Sequence, residues 1–186
     1  FKTRSMILSE IRTFFAEHDF IEVETPVLQS SYGGAEARPF LTRLNALDQE
    51  MFMRISLEPP LKKLIVGGMN RIFEMGKVFR NEGIDRTHNP EFTMLEAYAS
   101  YWDYNDMMEF TEGLFETVAI ALVGDTKVRL TSENESTAHV IDLKSPWKRM
   151  SMKEAILTYG GMDVDKMSVQ EMKNRLLQET HIDPKG

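Results

Sequence analysis

Hydrophobic residues recur along the chain with two different periods, and the change of period marks the predicted elements. Over residues 4–18 they recur at helical spacing, which predicts an amphipathic helix. Residues 20–25 alternate between apolar and acidic positions and predict a strand that Pro26 ends. Residues 40–45 and 50–55 read as two further strands on either side of a turn, and we expect them to pair.

The longest alternating runs are residues 71–80 and 92–100, and a polar loop separates them. Because side chains alternate across a strand, each run places a mixed set of residues on one face. That face carries Ile72, Glu74, Gly76, Val78 and Arg80 in the first run, and Phe92, Met94, Glu96, Tyr98 and Ser100 in the second. A face with a guanidinium, an aromatic ring, a carboxylate and a phenol suits a charged, planar ligand. The loop is longer than a tight hairpin turn, and long loops are often functional.

Capping signals mark the remaining helices, because proline, aspartate and serine favour the first turn and glycine favours the end. The predicted starts are Pro59-Pro60, Asp103, Ser151 with Glu154 and Ser168 with Glu171, and the predicted ends are Gly67-Gly68, Val123 before Gly124, and Gly160-Gly161. Residues 131–138 are polar and predict a hairpin tip or a mobile segment, and residues 139–143 predict a strand.

Composition narrows the classes of protein that fit. The net charge is -7, so the chain has no broad basic surface for nucleic acid. No apolar run is long enough to cross a bilayer, and we expect no signal peptide. The absence of cysteine fits a reducing compartment, and we expect a cytoplasmic protein without a membrane partner.

Three stretches of the sequence occur in a characteristic order. They are Phe20-Ile21-Glu22-Val23-Glu24-Thr25-Pro26-Val27-Leu28, then Gly33-Gly34-Ala35-Glu36-Ala37-Arg38-Pro39-Phe40, and then Phe79-Arg80-Asn81-Glu82 with His88-Asn89-Pro90-Glu91-Phe92. The first resembles motif 1 of class II aminoacyl-tRNA synthetases, and the third resembles motif 2. The second resembles the amino-acid-side loop of lysyl enzymes, which aspartyl and asparaginyl members lack. The continuation through Met94-Leu95-Glu96 is also similar to the lysyl version.

The resemblance implies an α+β fold of the class II type, in which a mostly antiparallel sheet is flanked by helices. Residues 1–186 would form a partial, truncated catalytic domain. Its parts would be motif 1 at about 4–28, motif 2 at about 71–100 and a helical insertion-like region at about 151–186. Family members also have an upstream OB-fold domain and a downstream motif 3, and we find neither in this sequence. We therefore expect a fragment that is inactive alone, from a homodimer joined through motif 1.

The activity that the resemblance implies is the ATP-dependent ligation of lysine to its tRNA. Lysine and ATP first give lysyl-adenylate, and the lysyl group then passes to tRNA(Lys). Arg80 matches the catalytic arginine that bridges the α-phosphate and the substrate carboxylate. The ATP-binding positions match Arg80, Glu82, His88, Asn89 and Phe92, and the lysine-binding positions match Gly34, Glu58, Glu96 and Tyr98. Mg²⁺ would accompany ATP, with its main ligands in the missing C-terminal part and none within this fragment.

Other interpretations stay open on the sequence alone. A paralogue that lysylates a protein would share the fold, and so would a non-catalytic binding or dimerisation module. Pro59-Pro60 follows Glu58 where the family usually has a hydrophobic pair, which could shift the helix start and move Glu58. Glu22 and Glu24 could form a carboxylate pair for metal or acid–base work, although a solvated strand face is favoured.

Overall fold

The computed structural model describes residues 1–130 and 139–180. The chain divides into two compact units, Phe1–Ser145 and Pro146–Gly186. The predicted hairpin tip or mobile segment at 131–138 lies outside the described residues, as does the end of the predicted helical region, 181–186. A single catalytic domain that includes both units stays a prediction.

The first unit alternates helices with short strands. Its elements are α1 (Lys2–Glu17), β1 (Ile21–Glu22), β2 (Leu28–Gln29), β3 (Leu41–Leu44), β4 (Gln49–Met53), α2 (Glu58–Val66), β5 (Arg71–Phe79), β6 (Glu91–Ala99), α3 (Tyr104–Val123), β7 (Lys127–Leu130) and β8 (His139–Asp142). The strand pairs β2–β4, β3–β4, β5–β6 and β7–β8 are antiparallel, and β1–β5 is parallel. The predicted α+β fold with mostly antiparallel pairing is therefore confirmed.

A hairpin of β5 and β6 forms the centre of this unit. Its ladder runs without interruption from Arg71 opposite Ala99 to Phe79 opposite Glu91. β1 pairs with the other edge of β5, so β5 lies between two strands. Each end of the hairpin lies within one residue of the predicted position.

Apolar side chains cover both faces of the hairpin. On one face, phenylalanines of α1, β5 and α3 meet, and the ring centroid of Phe15 lies 4.3 Å from that of Phe73 and 5.0 Å from that of Phe110. On the other face, Leu61 of α2 packs with Ile72 of β5. Burial of each such side chain contributes about 1.5–3 kcal/mol, so the hairpin is held firmly between α2 and the α1–α3 pair.

The predicted strand of motif 1 is shorter than expected. After β1, one further backbone bond joins Val23 N to Phe73 O at 2.9 Å. Beyond that point the Thr25 carbonyl accepts from the side chain of Arg54 at 3.0 Å, so a side chain takes the place of a neighbouring strand. β2 then pairs with β4, which the sequence pattern did not predict. The predicted pairing of β3 with β4 is confirmed.

The start of α3 follows its predicted cap. The Asp103 carboxylate accepts from Asn105 N at 2.7 Å and from Asp106 N at 3.2 Å. These bonds satisfy amides that have no partner within the helix. Gly124 follows the helix with a φ of 73°, a left-handed conformation that glycine adopts without steric cost.

The second unit consists of α4 (Met152–Gly160), a 3₁₀ turn at Val164–Lys166 and α5 (Val169–Thr180). Both predicted capping boxes are present, since Ser151 Oγ accepts from Glu154 N at 3.2 Å and Ser168 Oγ accepts from Glu171 N at 3.3 Å. Within residues 1–130 and 139–180, no helix combines the length and the apolar character needed to cross a membrane.

Candidate active site

One face of the β5–β6 hairpin carries most of the predicted site residues. In the ladder, Ile72 lies opposite Tyr98, Glu74 opposite Glu96 and Val78 opposite Phe92. Residues that lie opposite each other in an antiparallel pair point to the same face. The two mixed faces recognised in the sequence are therefore one continuous surface.

A cavity of about 320 Å³ lies at the loop end of this surface. Its lining consists of Arg80, Glu82, Gly83, Thr87, His88, Asn89 and Phe92. The structure thus brings together all five residues predicted for the ATP side. Gly83 and Thr87 were not among the predicted residues, although both lie in the same polar loop.

Three contacts place Arg80 at the mouth of the hairpin. Its Nε donates to the Ile55 carbonyl at 3.3 Å, and its guanidinium carbon lies 5.4 Å from the ring centroid of Phe92. Its backbone N donates to Pro90 O at 2.9 Å. Among the described residues Arg80 has no ion-pair partner, so its charge is available to an anionic ligand in the cavity.

Asp85 organises the loop that closes the cavity. Its Oδ1 accepts from the backbone N–H of Thr87 at 2.7 Å and of His88 at 2.8 Å, and its Oδ2 lies 2.7 Å from Nδ1 of the His88 ring. The backbone bond from Thr87, followed by the side-chain bond to His88, holds the pKa of Asp85 well below its usual range. With Nδ1 engaged, Nε2 is the ring nitrogen that His88 can offer to a ligand.

Glu82 joins this loop to the Gly33-Gly34 loop. Its Oε1 accepts from Arg38 N at 3.2 Å, and the neighbouring Asn81 N donates to Arg38 O at 2.7 Å. One side of the Glu82 carboxylate is therefore engaged by the protein. A carboxylate has about four acceptor positions, so capacity for a ligand remains.

A second polar cluster lies at the start of α2. Glu96 Oε1 accepts from Leu57 N at 3.0 Å, and Glu96 Oε2 accepts from the Tyr98 hydroxyl at 3.1 Å. Burial of Tyr98, followed by the charge of Glu96, raises the pKa of Tyr98, so the phenol stays protonated and donates. Glu58 is the first residue of α2 and forms an ion pair with Lys62 one turn later.

Gly34 approaches this cluster more closely than any other residue type could. Its φ is +82°, and a Cβ at this position would lie 2.2 Å from Ser56 Oγ and 3.0 Å from Glu58 Cβ. Pro59 and Pro60 occupy the first turn of α2, where proline is tolerated, and the helix starts at Glu58. The start of α2 therefore brings together the four residues predicted to bind lysine.

A buried ion pair that includes Glu74 of this face was missed by the sequence reasoning. Arg54 and Glu74 are each 3% exposed, and Arg54 Nη1 lies 2.5 Å from Glu74 Oε1. Each is a single charge within an apolar run, Met51-Phe52-Met53-Arg54-Ile55 and Ile72-Phe73-Glu74-Met75. Such isolated charges of opposite sign are a signal that could have revealed the pair, because a lone buried charge is costly.

The described residues contain no group of three or more His, Asp or Glu side chains that could hold a metal ion. Of the two acidic residues considered for a carboxylate pair, Glu22 is bound to Arg12 at 2.9 Å. This pair lies at the exposed surface, which supports the interpretation of a solvated strand face.

Known proteins resemble the chain over nearly its whole length. The family of class II tRNA synthetases (D, K and N) matches residues 1–183. The lysine–tRNA ligase of Chlamydia pneumoniae is 54% identical over 180 residues, which cover 97% of this chain and 34% of the relative. Lysine–tRNA ligase 2 of Methanosarcina acetivorans is 51% identical over 178 residues, or 96% and 34% of the two chains. The lysine–tRNA ligase of Enterococcus faecalis is 48% identical over 174 residues, or 93% and 34%.

The chain spans about a third of the length of these curated relatives. The match to the family covers motif 1, the Gly33-Gly34 loop and motif 2, and it includes every residue of the cavity and of the carboxylate cluster. The chain belongs to the class II tRNA synthetases of the D, K and N group.

Proposed function

We propose that the protein carrying this chain is a lysine–tRNA ligase, which activates lysine with ATP and transfers it to tRNA(Lys). The observation that carries the proposal is a single sheet face with two unlike halves. Phe92 and Arg80 line a cavity at one end, and Glu96 lies about 13 Å further along the same strand. Lysyl-adenylate has the matching order of groups, namely an aromatic base, a phosphate and an ammonium.

On the nucleotide side, Phe92 stacks on adenine and Glu82 receives its amino group. His88 and Asn89 contact the phosphates from the loop, and Arg80 contacts the α-phosphate and the lysine carboxylate. A planar guanidinium is suited to this bridge, because it can donate to two oxygens at once.

On the amino-acid side, the Glu96 carboxylate binds the lysine ammonium. Its two oxygens are already oriented by the Leu57 amide and the Tyr98 hydroxyl. Glu58 adds a second negative charge, and Tyr98 orients Glu96 through its hydroxyl. Gly34 contributes by its missing side chain, which leaves the backbone close to the start of α2. Two carboxylates select a cationic side chain over a neutral one of equal length.

In the first step an oxygen of the lysine carboxylate attacks the α-phosphorus of ATP, and the bond to the pyrophosphate oxygen breaks. The protein mainly aligns the two reactants and offsets the negative charge that develops on the phosphoryl oxygens. Within this chain, the positive charge of Arg80 offsets this negative charge. A hydroxyl of the tRNA 3′ end then attacks the lysyl carbonyl, and AMP leaves.

Mg²⁺ is proposed to accompany ATP, as the family resemblance implies. The described residues offer no cluster that fits the ion, so no step is assigned to a metal held by them. We also propose a homodimer joined through motif 1 and a cytoplasmic location. The net charge of -7 indicates that this segment contributes little of the electrostatic attraction to tRNA.

The two other candidates predict different behaviour. A paralogue that lysylates a protein would form lysyl-adenylate but would not charge tRNA(Lys). A non-catalytic module would do neither, and it would have no need for a cavity that groups Arg80, Glu82 and Phe92. A tRNA charging assay therefore distinguishes a lysine–tRNA ligase from the paralogue. An assay of lysyl-adenylate formation distinguishes it from the non-catalytic module.

The test is lysine-dependent ATP–pyrophosphate exchange by the full-length protein with Arg80→Ala. Loss of a donor aimed at developing charge costs about 2.7–4 kcal/mol, so exchange should fall about a hundredfold or more. Arg43→Ala serves as the control, since Arg43 lies on β3 and forms an exposed ion pair with Asp48. Exchange by Arg80→Ala within about threefold of the unmutated protein would remove Arg80 from the reaction.

A further inference from the structure

A buried linker joins β4 to α2 and contacts both halves of the proposed site. Arg54, Ile55, Ser56 and Leu57 are at most 3% exposed. The carbonyl of Ile55 accepts from Arg80 Nε at 3.3 Å, and the amide of Leu57 donates to Glu96 Oε1 at 3.0 Å. A rotation of these peptide planes would therefore displace Arg80 and Glu96 together.

The guanidinium of Arg54 holds this linker against two neighbouring segments. Its Nη1 donates to Glu74 Oε1 at 2.5 Å and to the Thr25 carbonyl at 3.0 Å, and its Nε donates to the Lys77 carbonyl at 2.8 Å. Thr25 Oγ1 in turn donates to Glu74 Oε2 at 2.7 Å. The motif 1 segment, the linker and β5 thus meet at one planar group whose donors point in fixed directions.

The sheet provides space for this group at Gly76. A Cβ on Gly76 would lie 2.2 Å from Arg54 Nη2 and 3.2 Å from Glu74 Oε1. The guanidinium consequently lies directly against the backbone of β5. The backbone of Arg54 is fixed as well. Its N donates to Val27 O at 2.9 Å, and its O accepts from Phe79 N at 2.9 Å.

Stability alone does not account for a buried pair of this kind. The cost of removing two charges from water commonly offsets their attraction, and apolar residues of similar volume often stabilise a protein as well or better. The Arg54 guanidinium binds three oxygens, which come from the motif 1 segment and from β5, and it thereby restricts the orientation of the linker. Apolar side chains cannot do this, because they donate no hydrogen bonds. The geometry favours a role in orientation.

We propose that Arg54, held by Glu74, is a positioning residue for the adenylate-forming reaction. Through the Ile55 carbonyl and the Leu57 amide it sets the orientation of Arg80 and of Glu96. The inference rests on the proposed lysine–tRNA ligase function. It adds that one buried pair, to which no ligand contact is assigned, aligns the phosphate contact with the ammonium contact.

The test is the double variant Arg54→Met/Glu74→Leu in the full-length protein, assayed by lysine-dependent ATP–pyrophosphate exchange. Removing both charges avoids leaving one of them buried and unpaired, so a folded protein is expected. We expect kcat per titrated active site to fall at least about tenfold and the lysine KM to rise at least about fivefold. The ATP KM should rise less than the lysine KM, because Arg80 is only one of the five predicted residues that line the nucleotide cavity.

The matched control is Lys77→Met/Glu91→Leu, which removes an ion pair of the same hairpin. That pair spans 3.2 Å, its side chains are 53% and 55% exposed, and it lies on the opposite face from Glu74. Its kinetic constants should match those of the unmutated protein. A purely structural role of Arg54 would lower the number of titrated sites and leave both the lysine KM and kcat per site unchanged.

Two outcomes are distinguishable. If the unmutated protein shows no lysine-dependent exchange, the proposed function fails, and the inference that rests on it fails too. If the unmutated protein is active and the double variant keeps its lysine KM and kcat per site within about twofold, only the positioning role fails. Should the double variant not fold, Thr25→Val decides, because it removes the hydroxyl that donates to Glu74 Oε2 at 2.7 Å and accepts from Arg54 Nη1 at 3.2 Å. A lysine KM raised at least about twofold supports the proposal, and an unchanged lysine KM overturns it.

Discussion

At the scale of single residues, Glu96 is fixed from two sides before any ligand arrives. The amide of Leu57 and the hydroxyl of Tyr98 each engage one of its oxygens. Glu96→Gln keeps the size of the side chain but removes the charge that would meet the lysine ammonium. A hydrogen bond to a charged group is worth about 1.5–3 kcal/mol, so the lysine KM should rise about tenfold or more. The ATP KM should change less than about twofold in the same exchange assay.

Glu91→Gln is the control for this variant, because Glu91 begins the same strand and its side chain is 55% exposed. It should leave both KM values unchanged. If Glu96→Gln instead raised the ATP KM and left the lysine KM unchanged, Glu96 would belong to the nucleotide side.

Asp85 is expected to act through the order of its loop. Asp85→Asn replaces Oδ2, which faces His88 Nδ1, by an amide that donates instead of accepting. The ring of His88 would lose its carboxylate partner and keep only Thr87 Oγ1 at 3.2 Å, and we expect the ATP KM to rise about threefold to tenfold with an unchanged lysine KM. Asp48→Asn is the control, since Asp48 is exposed and its positive φ of 51° suits asparagine. Equal effects of Asp85→Asn on the two KM values would contradict a local role.

The same residue gives a pH prediction. Because the pKa of Asp85 is lowered in the folded state, its bonds contribute fully above the ordinary aspartate pKa of about 3.9 and are lost only as the pH falls through the lowered value. Titration of Asp85 should therefore not alter the order of the loop between about pH 6 and pH 8. Backbone amide exchange at Thr87 and His88, corrected for the intrinsic rate, should stay constant over this range.

At the scale of elements, the contact between the Gly33-Gly34 loop and α2 is set by the absence of one side chain. Gly34→Ala would place a methyl group 2.2 Å from Ser56 Oγ and 2.8 Å from Pro59 Cδ, so the start of α2 must move. Overpacking of this kind costs about 1–3 kcal/mol, and a positive φ adds to it. We expect a lower melting temperature and a raised lysine KM.

Gly68→Ala separates the effect of steric overlap from the effect of a positive φ. Gly68 has a φ of +99°, but a Cβ there would meet nothing within 4 Å. Gly68→Ala should therefore show the backbone cost without the change in lysine KM. Equal effects of the two substitutions on the lysine KM would mean that Gly34 matters only for its backbone conformation.

Elements that depend on residues close together in the sequence were predicted correctly. Asp103, Ser151 and Ser168 cap their helices as expected, because a side-chain oxygen and the next amides lie within one turn. The site face of the hairpin was predictable too, since the period of two assigns side chains to faces without knowledge of the fold. Strand β7, in contrast, was not predicted, although it pairs with the predicted strand β8.

Contacts between distant segments follow no period, so the hydrophobic pattern of the sequence did not predict them. Arg54 and Glu74 are 20 positions apart, and no period connects them. The shortening of the motif 1 strand has the same cause, because Thr25 leaves the sheet to meet Arg54. The link between Glu82 and Arg38 spans 44 positions and depends on how two loops are brought together by the sheet.

At the scale of the whole molecule, the structure changes the expected basis of self-association. Motif 1, through which the homodimer was expected to form, includes Phe14 and Phe15 of α1, which are only 5% and 1% exposed and belong to the internal core. Those two rings are not available to a partner. Within motif 1, the large apolar side chains that stay exposed are Met6 at 50%, Ile21 at 56% and Leu28 at 49%.

We therefore expect association through motif 1 to depend on these exposed side chains and not on the phenylalanines. Met6→Glu/Ile21→Glu places two like charges on the proposed interface without touching the core, and it should weaken the dimer at least about tenfold. Sedimentation over a range of protein concentrations measures the dissociation constant, and the melting temperature checks that the fold is retained. Val66→Glu is the control, since Val66 is 89% exposed at the end of α2, outside motif 1. An unchanged dissociation constant in the double variant, or an equal loss in Val66→Glu, would place the interface elsewhere.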